Sequence, residues 1–353
     1  MPIVYTERHQ RHATASVRVH GEAYPEVPAR AETLLAAALA AGLGPVQAPE
    51  DYGLAPILAV HTPALIEFLQ NIHAASLNVR HTTVGAGSAA PLFMADTFAT
   101  RSARRRSPHP WAQIGYHSFD IEAPFLEGTW EAAYWSAQCA LTAAEQVRAG
   151  APAVYALCRP PGHHATADQT GGFCYLNNAA VAARHLQRTA GARIAVLDID
   201  YHHGNGTQEI FYDDPTVFYA SLHAHPDEDY PFFWGAEDER GAGPGLGSNL
   251  NLPLPRGTDD AGYLAGLDQA LAAVRAFAPE YLVLSLGMDI AAGDPASLTS
   301  GFAVSPAGFR TIGERVAAAG FPTVIIQEGG YRLATLAENG RAVLSAFAAP
   351  RAE

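Results

Sequence analysis

Two aspartates and two histidines follow an apolar run in the segment IAVLDIDYHHGNGT, residues 194–207. They are Asp198, Asp200, His202 and His203. Side chains alternate between the two faces of an extended segment, so Asp198, Asp200 and His202 are predicted to face the same way. Carboxylate oxygens and imidazole nitrogens bind divalent metals such as zinc. The segment therefore predicts half of a metal site at the carboxyl end of a strand. A polar loop without a metal is the alternative.

A catalytic zinc site needs three protein ligands and one open position. Asp200 and His202 can supply two of these ligands. The best candidate for the third is Asp289 in LSLGMD, because this segment directly follows a predicted buried strand. An aspartate at such a place can equally cap the next helix.

Two further segments carry groups that suit hydrolysis. His163 and His164 stand together in CRPPGHHATADQTGGFCYLNN, at the start of a predicted loop. One imidazole can take a proton from water while the other stays charged near an anionic intermediate. Tyr331 follows Gly329 and Gly330 in QEGGYR, and its phenol could donate to an oxyanion. Each segment alone is also compatible with an ordinary surface loop.

The elements that must position these residues alternate between strand and helix. This rhythm predicts an α/β fold with an open, mostly parallel sheet and helices on both faces. In such sheets, loops at the carboxyl ends of the strands converge on the ligand site. The predicted strands are 153–158, 194–198, 217–222, 281–285 and 323–327. The predicted helices are 30–41, 63–74 (capped by Thr62), 130–149, 178–188, 259–277, 306–319 and 333–348.

Residues 76–128 interrupt this rhythm. The stretch contains Gly, Ser and Pro, the run Arg104–Arg106, and the aromatic segment WAQIGYHSFDIEAPF. A long insertion in a compact domain is usually functional or forms an interface, although a mobile surface loop is the alternative. No linker or internal repeat divides the chain, so residues 1–353 are predicted to form a single domain. The arginine run is expected to face solvent.

Composition narrows the class of protein. The chain has 353 residues, 48% of them hydrophobic, and no apolar run long enough for a membrane span. We therefore expect a soluble, cytoplasmic protein with no membrane partner. The net charge of −13 argues against a nucleic-acid partner. All basic residues are arginine, which excludes a Schiff-base lysine and a Walker-type phosphate lysine. Cys139, Cys158 and Cys174 are expected to be reduced thiols.

Taken together, the motifs resemble those of a known family. The segments RPPGHHA, GGFCYLNNAA, LDIDYHHGNGTQEIFY, ASLH, LSLGMD and EGGY, in this order, are similar to the zinc-dependent histone deacetylase superfamily. Within it, HHGNGTQ, GTWEAA and the insertion most resemble bacterial acetylpolyamine amidohydrolases. The resemblance implies an arginase–deacetylase fold, a single deacetylase-like domain, and hydrolysis of an N-acetyl amide to acetate and an amine.

The resemblance also assigns residues. It makes Asp200, His202 and Asp289 the ligands of one Zn²⁺, with iron(II) left open as the metal in the cell. His164 matches the general base and acid, His163 its electrostatic partner, and Tyr331 the transition-state phenol. Asn205 stands where many members carry an Asp beside His164, and a neutral partner should leave His164 less basic. A structural K⁺ site is implied at the following residues: Asp198, Asp200, His202, Ser221 and Leu222.

Substrate recognition is assigned in the same way. Phe173 and Tyr230, with Gly172, match the walls of a tunnel for the aliphatic arm of the substrate. In the amidohydrolases the insertion builds a homodimer whose neighbouring subunit contributes an acidic residue, and this chain has Trp111 at that place. Trp111 could attract an ammonium through its indole face or favour a bulkier amine, and Asp120 or Glu122 could serve instead.

These observations leave ranked alternatives. The predicted activity is hydrolysis of acetylpolyamines or similar small acetylated amines. Deacylation of acetyl-lysine or another N-acyl amide is the second reading, and a non-enzymatic binding module is the third. The two-metal arginase branch is disfavoured because Gly204 and Ala291 occupy the places of its additional aspartates.

Overall fold

A parallel sheet forms the centre of the molecule. The structure is a computed structural model and describes residues 1–19, 21–77, 79, 92–100, 102, 105–298 and 300–348. Eight strands of the described chain form one sheet in the order β4-β1-β5-β10-β9-β6-β7-β8, and every pairing in it is parallel. Strands β2 and β3 form a separate antiparallel pair. The strands are β1 (Ile3–Val4), β2 (Arg18–Val19), β3 (Glu22–Ala23), β4 (Val46–Gln47), β5 (Ala153–Ala156), β6 (Ile194–Asp198), β7 (Val217–Ala224), β8 (Asn249–Leu254), β9 (Tyr281–Leu286) and β10 (Thr323–Gln327).

Helices cover both faces of this sheet. The helices are α1 (Ala29–Ala40), α2 (Pro63–Ser76), α3 (Pro110–Tyr116), α4 (Thr129–Arg148), α5 (Asn178–Ala190), α6 (Asn205–Phe211), α7 (Asp260–Phe277), α8 (Pro306–Ala318) and α9 (Leu333–Ala348). Single 3₁₀ turns lie at Glu7–Arg11, Thr14–Ser16, Ile57–Ala59 and Gly243–Gly245. No helix in these described ranges has the length and hydropathy that a membrane crossing requires.

The strands are apolar on both sides because both faces are buried. In β6, Val196 packs in the core with α2, α4 and α5, whereas Ala195 and Leu197 pack in the core with α1, α7, α8 and α9. Parallel sheets of α/β proteins are covered in this way, so their strands are nearly continuous apolar runs. The result is three layers, with the sheet in the middle.

The predicted fold class is confirmed by the parallel sheet and its two helical layers. The predicted strands and helices are all present, and their ends differ by at most two residues. The short strands β1 and β4, the edge strand β8 and the helices α3 and α6 were not predicted. Two residues are too few to show alternation, and α6 begins with Asn205-Gly206, a dipeptide typical of turns.

The strand order brings five loops to one edge of the sheet. Strands β5, β10, β9, β6 and β7 are neighbours, and the loops after them carry the predicted chemistry. The insertion at 76–128 lies partly outside the described residues, as does Arg104 of the arginine run. Within its described part, α3 packs against α2, and Arg105 and Arg106 are exposed as expected.

Candidate metal centre and active site

Three donor side chains meet at the carboxyl edge of the sheet. Asp200 and His202 follow β6, and Asp289 follows β9, its neighbour in the sheet. One ligand atom of each lies within 4.8 Å of the others, and all three residues are buried. His202 Nδ1 is 3.3 Å from Asp200 Oδ1 and 3.2 Å from Asp289 Oδ2. In a tetrahedral zinc site with bonds of about 2.0–2.2 Å, ligand atoms are separated by roughly 3.3 Å. The donor set and its spacing therefore fit zinc.

The backbone orients both carboxylates toward this point. Gly329 donates its N–H to Asp200 Oδ2 at 2.8 Å, and Tyr201 donates to Asp289 Oδ1 at 3.0 Å. Each carboxylate is thereby left with its other oxygen facing His202. A Cβ on Gly329 would collide with both carboxylates, so only glycine fits beside them. Hydrogen bonds of this kind fix the orientation of the side chains that bind a metal.

The two adjacent histidines have different partners and different acidities. His163 Nδ1 is 3.1 Å from Asp198 Oδ2, and its Nε2 is 3.7 Å from Asp200 Oδ1. Burial favours its neutral form, but the carboxylates of Asp200 and Asp198 prevail and raise the pKa of His163 to about 10.

His164 has a neutral hydrogen-bond partner. Its Nδ1 is 2.7 Å from Asn205 Oδ1, and its ring lies 4.0 Å from the ring of His163. Burial and the neighbouring His163 and His202 lower the pKa of His164 well below its usual value. The pair therefore places a neutral base beside a charged imidazolium.

Tyr331 stands opposite these histidines in the loop after β10. Its ring lies 5.3 Å from that of Phe173, and burial raises the pKa of its phenol, which therefore stays protonated. Asp294 accepts the backbone N–H of Tyr331 at 2.7 Å. The guanidinium of Arg30 lies 4.3 Å from the ring centroid. Arg30 also donates to the carbonyls of Gly330 and Glu328, both at 2.6 Å, so the loop is held from both sides.

A buried group of three charges supports the loops beneath the site. Glu26 lies 3.0 Å from Arg30 and 2.9 Å from Arg159, and none of the three is more than 2% exposed. Arg159 begins the loop that carries His163 and His164, whereas Arg30 holds the loop of Tyr331. Burial alone would raise the pKa of Glu26, but Arg159 and Arg30 lower it. We call Glu26, Arg30 and Arg159 the buried triad.

Glu328 joins the same two loops directly. Its Oε2 accepts the backbone N–H groups of Gly162 at 2.7 Å and of His163 at 3.2 Å. Burial, reinforced by Asp198 and Asp200, raises the pKa of Glu328 to about 8. Its other oxygen has no hydrogen-bond partner among the described residues. The histidine loop and the tyrosine loop are thus joined by a side chain as well as by the buried triad.

A cavity of about 440 Å³ leads from His202 of the donor cluster to the surface. Its buried end is lined by His164, His202 and Tyr331. Its walls include the predicted residues Gly172, Phe173 and Tyr230, and Glu122 and the exposed Glu22 also line it. Burial, and secondarily Asp120, raises the pKa of Glu122 to about 7. The cavity is lined by aromatic side chains and by the carboxylates of Glu122 and Glu22.

The remaining predicted residues are placed as follows. Strand β6 ends at Asp198, which contacts His163 rather than joining the donor cluster. Ser221 pairs with Asp198 in the register of β6 and β7, and its Oγ is 2.8 Å from His223 Nδ1. Leu222 is the next residue of β7. His203 is buried and 3.1 Å from Gln208, outside the donor cluster. Trp111 lies on α3 and does not line the cavity of its own chain.

Sequence reasoning missed the residues that hold the site in place. It assigned no role to Glu26, Arg30, Arg159 or Glu328. Glu26 and Arg30 look like an ordinary surface pair of one helical turn, and Arg159 like part of a loop. The sequence contained one indication, which is that Glu328 belongs to the EGGY motif. The motif alone does not show which backbone groups this glutamate contacts.

Comparison with known proteins identifies the class. The model of the histone deacetylase domain family matches residues 24–347, which is nearly the whole chain. The chain therefore belongs to this family, and its buried Asp-His-Asp group fits the metal site of that class.

Particular relatives are similar over their full lengths. The acetylpolyamine amidohydrolase of Burkholderia pseudomallei is 48% identical over 92% of each chain. Acetylpolyamine amidohydrolase 1 of Pseudomonas aeruginosa is 44% identical over 98% of each chain. A crystal structure of the Burkholderia pseudomallei acetylpolyamine aminohydrolase superposes with a TM-score of 0.90 at 45% identity, covering 98% of both chains. The predicted family is thus confirmed.

Proposed function

We propose that this protein is a zinc-dependent amidohydrolase that removes the acetyl group from acetylated polyamines. The observation that carries the proposal is one cavity that is lined by His202 of the donor cluster, by His164 and Tyr331, and by the carboxylates of Glu122 and the exposed Glu22. An acetyl amide at the donor cluster would place the aliphatic arm between Phe173 and Tyr230. The distal ammonium would then approach the outer carboxylates. The names of the relatives support the same substrate class.

The residues of the chain divide the chemistry among them. A zinc ion held by Asp200, His202 and Asp289 would polarise the acetyl carbonyl and make a water molecule more acidic. His164 accepts the proton of the attacking water, because its low pKa keeps it neutral. Tyr331 donates its phenol hydrogen to the oxygen that becomes negative. His163 remains charged and stabilises that negative charge, and the histidine pair supplies the proton that the leaving amine needs.

Asp198 and Asn205 are proposed to tune this pair. Asp198 supports the charged form of His163 through its 3.1 Å contact. Asn205 orients His164 without adding a negative charge, which keeps the pKa of His164 low. The two contacts together keep the protonation states of the neighbouring rings apart.

Deacetylation of acetyl-lysine peptides is the second candidate function. It is favoured by Leu298, which lines the cavity and is 67% exposed, because such a rim can receive the backbone of a peptide. The family model, described as a histone deacetylase domain, is compatible with it.

Turnover by the zinc-loaded protein tests the proposal. Acetylputrescine, acetylcadaverine and an acetyl-lysine peptide are compared by acetate release, with His164→Ala as the inactive control. We expect the highest kcat/KM for the two acetylpolyamines. Turnover of the peptide alone would reject the polyamine assignment in favour of the second candidate.

Two family features complete the proposal. Asp198, Asp200, His202, Ser221 and Leu222 would hold a structural K⁺, and the buried pairing of Asp198 with Ser221 supports this placement. Thermal unfolding with K⁺ replaced by a bulky organic cation should then show a lower Tm.

The insertion would form a homodimer of a cytoplasmic enzyme. Light scattering would give the mass of two chains, and the mass of one chain would refute the dimer.

A further inference from the structure

One carboxylate holds three parts of the channel wall. Asp120 lies in the segment between α3 and α4, and it contacts two other loops of the cavity. Its Oδ2 accepts the backbone N–H of Gly172 at 2.9 Å and the phenol hydrogen of Tyr230 at 2.6 Å. Its Oδ1 accepts the backbone N–H of Glu122 at 2.9 Å. Both oxygens of Asp120 are thus engaged by groups of the wall.

The contact with Gly172 fixes a strained turn. Gly172 has a φ of +52° and Phe173 a φ of +68°. The left-handed region is costly for a residue with a side chain, by about 1–3 kcal/mol. A Cβ on Gly172 would collide with the ring of His164 and the phenol oxygen of Tyr230, so the turn is packed closely against the site. The hydrogen bond from Gly172 to Asp120 holds this turn, and with it the Phe173 ring.

The contact with Tyr230 fixes the opposite wall. The ring of Tyr230 packs edge-on against His164 at 5.0 Å between centroids and lies 5.9 Å from His202. Its phenol donates to the same carboxylate oxygen that holds Gly172. The turn of Phe173 and the ring of Tyr230 therefore share one hydrogen-bond acceptor, Asp120 Oδ2.

We propose that Asp120 is a positioning residue that sets the width of the substrate channel, and that it does not itself bind the substrate ammonium. This inference rests on the proposed function, because the channel is taken to hold an acetylated amine. Asp120 does not line the cavity, and its oxygens already accept three hydrogen bonds. Its charge acts on the wall rather than on the ligand.

The test compares two substrates of the same shape. Acetylputrescine carries a distal ammonium, whereas N-pentylacetamide has a methyl group in its place. Asp120→Ala removes all three contacts. Asp120→Asn keeps one oxygen acceptor but turns an amide toward a backbone donor, and Tyr230→Phe removes the phenol contact alone. Asp227→Ala is the matched control, because it removes an exposed carboxylate three residues from Tyr230.

A positioning role predicts equal losses for both substrates. We expect Asp120→Ala to lower kcat/KM by roughly 10- to 100-fold for acetylputrescine and for N-pentylacetamide alike, because misplaced walls misplace the amide. Asp120→Asn and Tyr230→Phe should give smaller losses, again equal for the two substrates. Asp227→Ala should change neither value, and zinc content should remain one per chain in every variant.

Two results would overturn the inference. A loss confined to acetylputrescine would make Asp120 a charge that recognises the ammonium, and unchanged kinetics would remove it from the channel. A crystal structure of Asp120→Ala gives a readout that needs no turnover. Phe173 should leave its left-handed conformation and Tyr230 should move, and unmoved walls would refute the positioning role. If the wild type does not process acetylputrescine, the proposed function fails while the structural comparison still decides the role of Asp120.

Discussion

The floor and the wall of the cavity use buried charge in different ways. Beneath the floor, the carboxylate of Glu26 pairs with the guanidinium groups of Arg30 and Arg159, and Arg30 donates to two carbonyls of the tyrosine loop. At the wall, Asp120 has no cationic partner among the described residues, and its oxygens accept two backbone N–H groups and one phenol O–H. The floor is therefore supported by an ion-paired glutamate and two arginines, whereas the wall is supported by one carboxylate that accepts only uncharged donors.

This difference follows from what each region must do. Groups that stabilise developing charge are most effective when they are already in place before the reaction. Arg30 and Asp294 hold the backbone beside Tyr331, and Glu328 accepts the backbone N–H of His163. The wall and the outer carboxylates must instead admit and release a flexible aliphatic substrate. We expect floor substitutions to cost stability and turnover, substitutions of Asp120 to cost turnover of all substrates alike, and substitutions of the outer carboxylates to cost selectivity.

The largest effect should come from breaking the buried triad. Glu26→Gln leaves two buried guanidinium groups without a counter-charge, which typically costs about 3–5 kcal/mol. The free energy of unfolding in urea should fall by that amount. Glu32→Gln, an exposed change in the helix that carries Arg30, is the matched control and should lie within roughly 0.5 kcal/mol of the wild type.

The same residue gives a pH dependence of stability. The folded-state pKa of Glu26 is lowered, so its contribution is present above the unfolded pKa and is lost as pH falls through the folded pKa. Wild type and Glu26→Gln should therefore converge in stability in acid, below about pH 4. A constant difference in stability from pH 7 to pH 3 would contradict this account of the triad.

Next in size is removal of the oxyanion donor. Tyr331→Phe keeps the ring that packs on Arg30 and Phe173 and removes only the phenol oxygen. Loss of one such donor lowers kcat by about 10²–10³-fold. We expect that loss in kcat for acetylputrescine, with KM changed less than about threefold. A large rise in KM with unchanged kcat would mean that Tyr331 binds substrate rather than the transition state.

The reacting groups could be predicted from the sequence because they stand in short motifs at the ends of apolar strands. Asp200, His202 and Asp289 follow two strands that the apolar pattern identifies, and parallel strands bring such ends together. The supporting contacts could not be predicted in this way. Arg30 and Glu328 are 298 positions apart, and Asp120 and Tyr230 are 110 apart. Such pairs follow from the order of strands in the sheet, which no local pattern encodes.

A selective effect is expected from Glu122, at the outer part of the wall. Its pKa of about 7 means that it is mostly neutral at pH 6 and charged at pH 8. The preference of the wild type for acetylputrescine over N-pentylacetamide should therefore rise between these pH values. Glu122→Gln should remove that rise and lower kcat/KM for acetylputrescine about tenfold at pH 8, as expected for loss of a charged hydrogen bond. If the preference still rises between pH 6 and pH 8 in Glu122→Gln, the rise comes from the titration of another group.

The smallest effect concerns Trp111, which reaches a channel only if a second chain presents it there. Trp111→Glu would add a carboxylate to the neighbour's cavity and raise kcat/KM for acetylputrescine by about two- to fivefold, as for an exposed charge pair. N-pentylacetamide should be unaffected. Arg105→Gln is the matched control, because it changes the net charge equally at an exposed position of the same segment. If both variants raise the rate alike, the gain comes from the more negative net charge of the protein, and Trp111 has no place in the partner's channel.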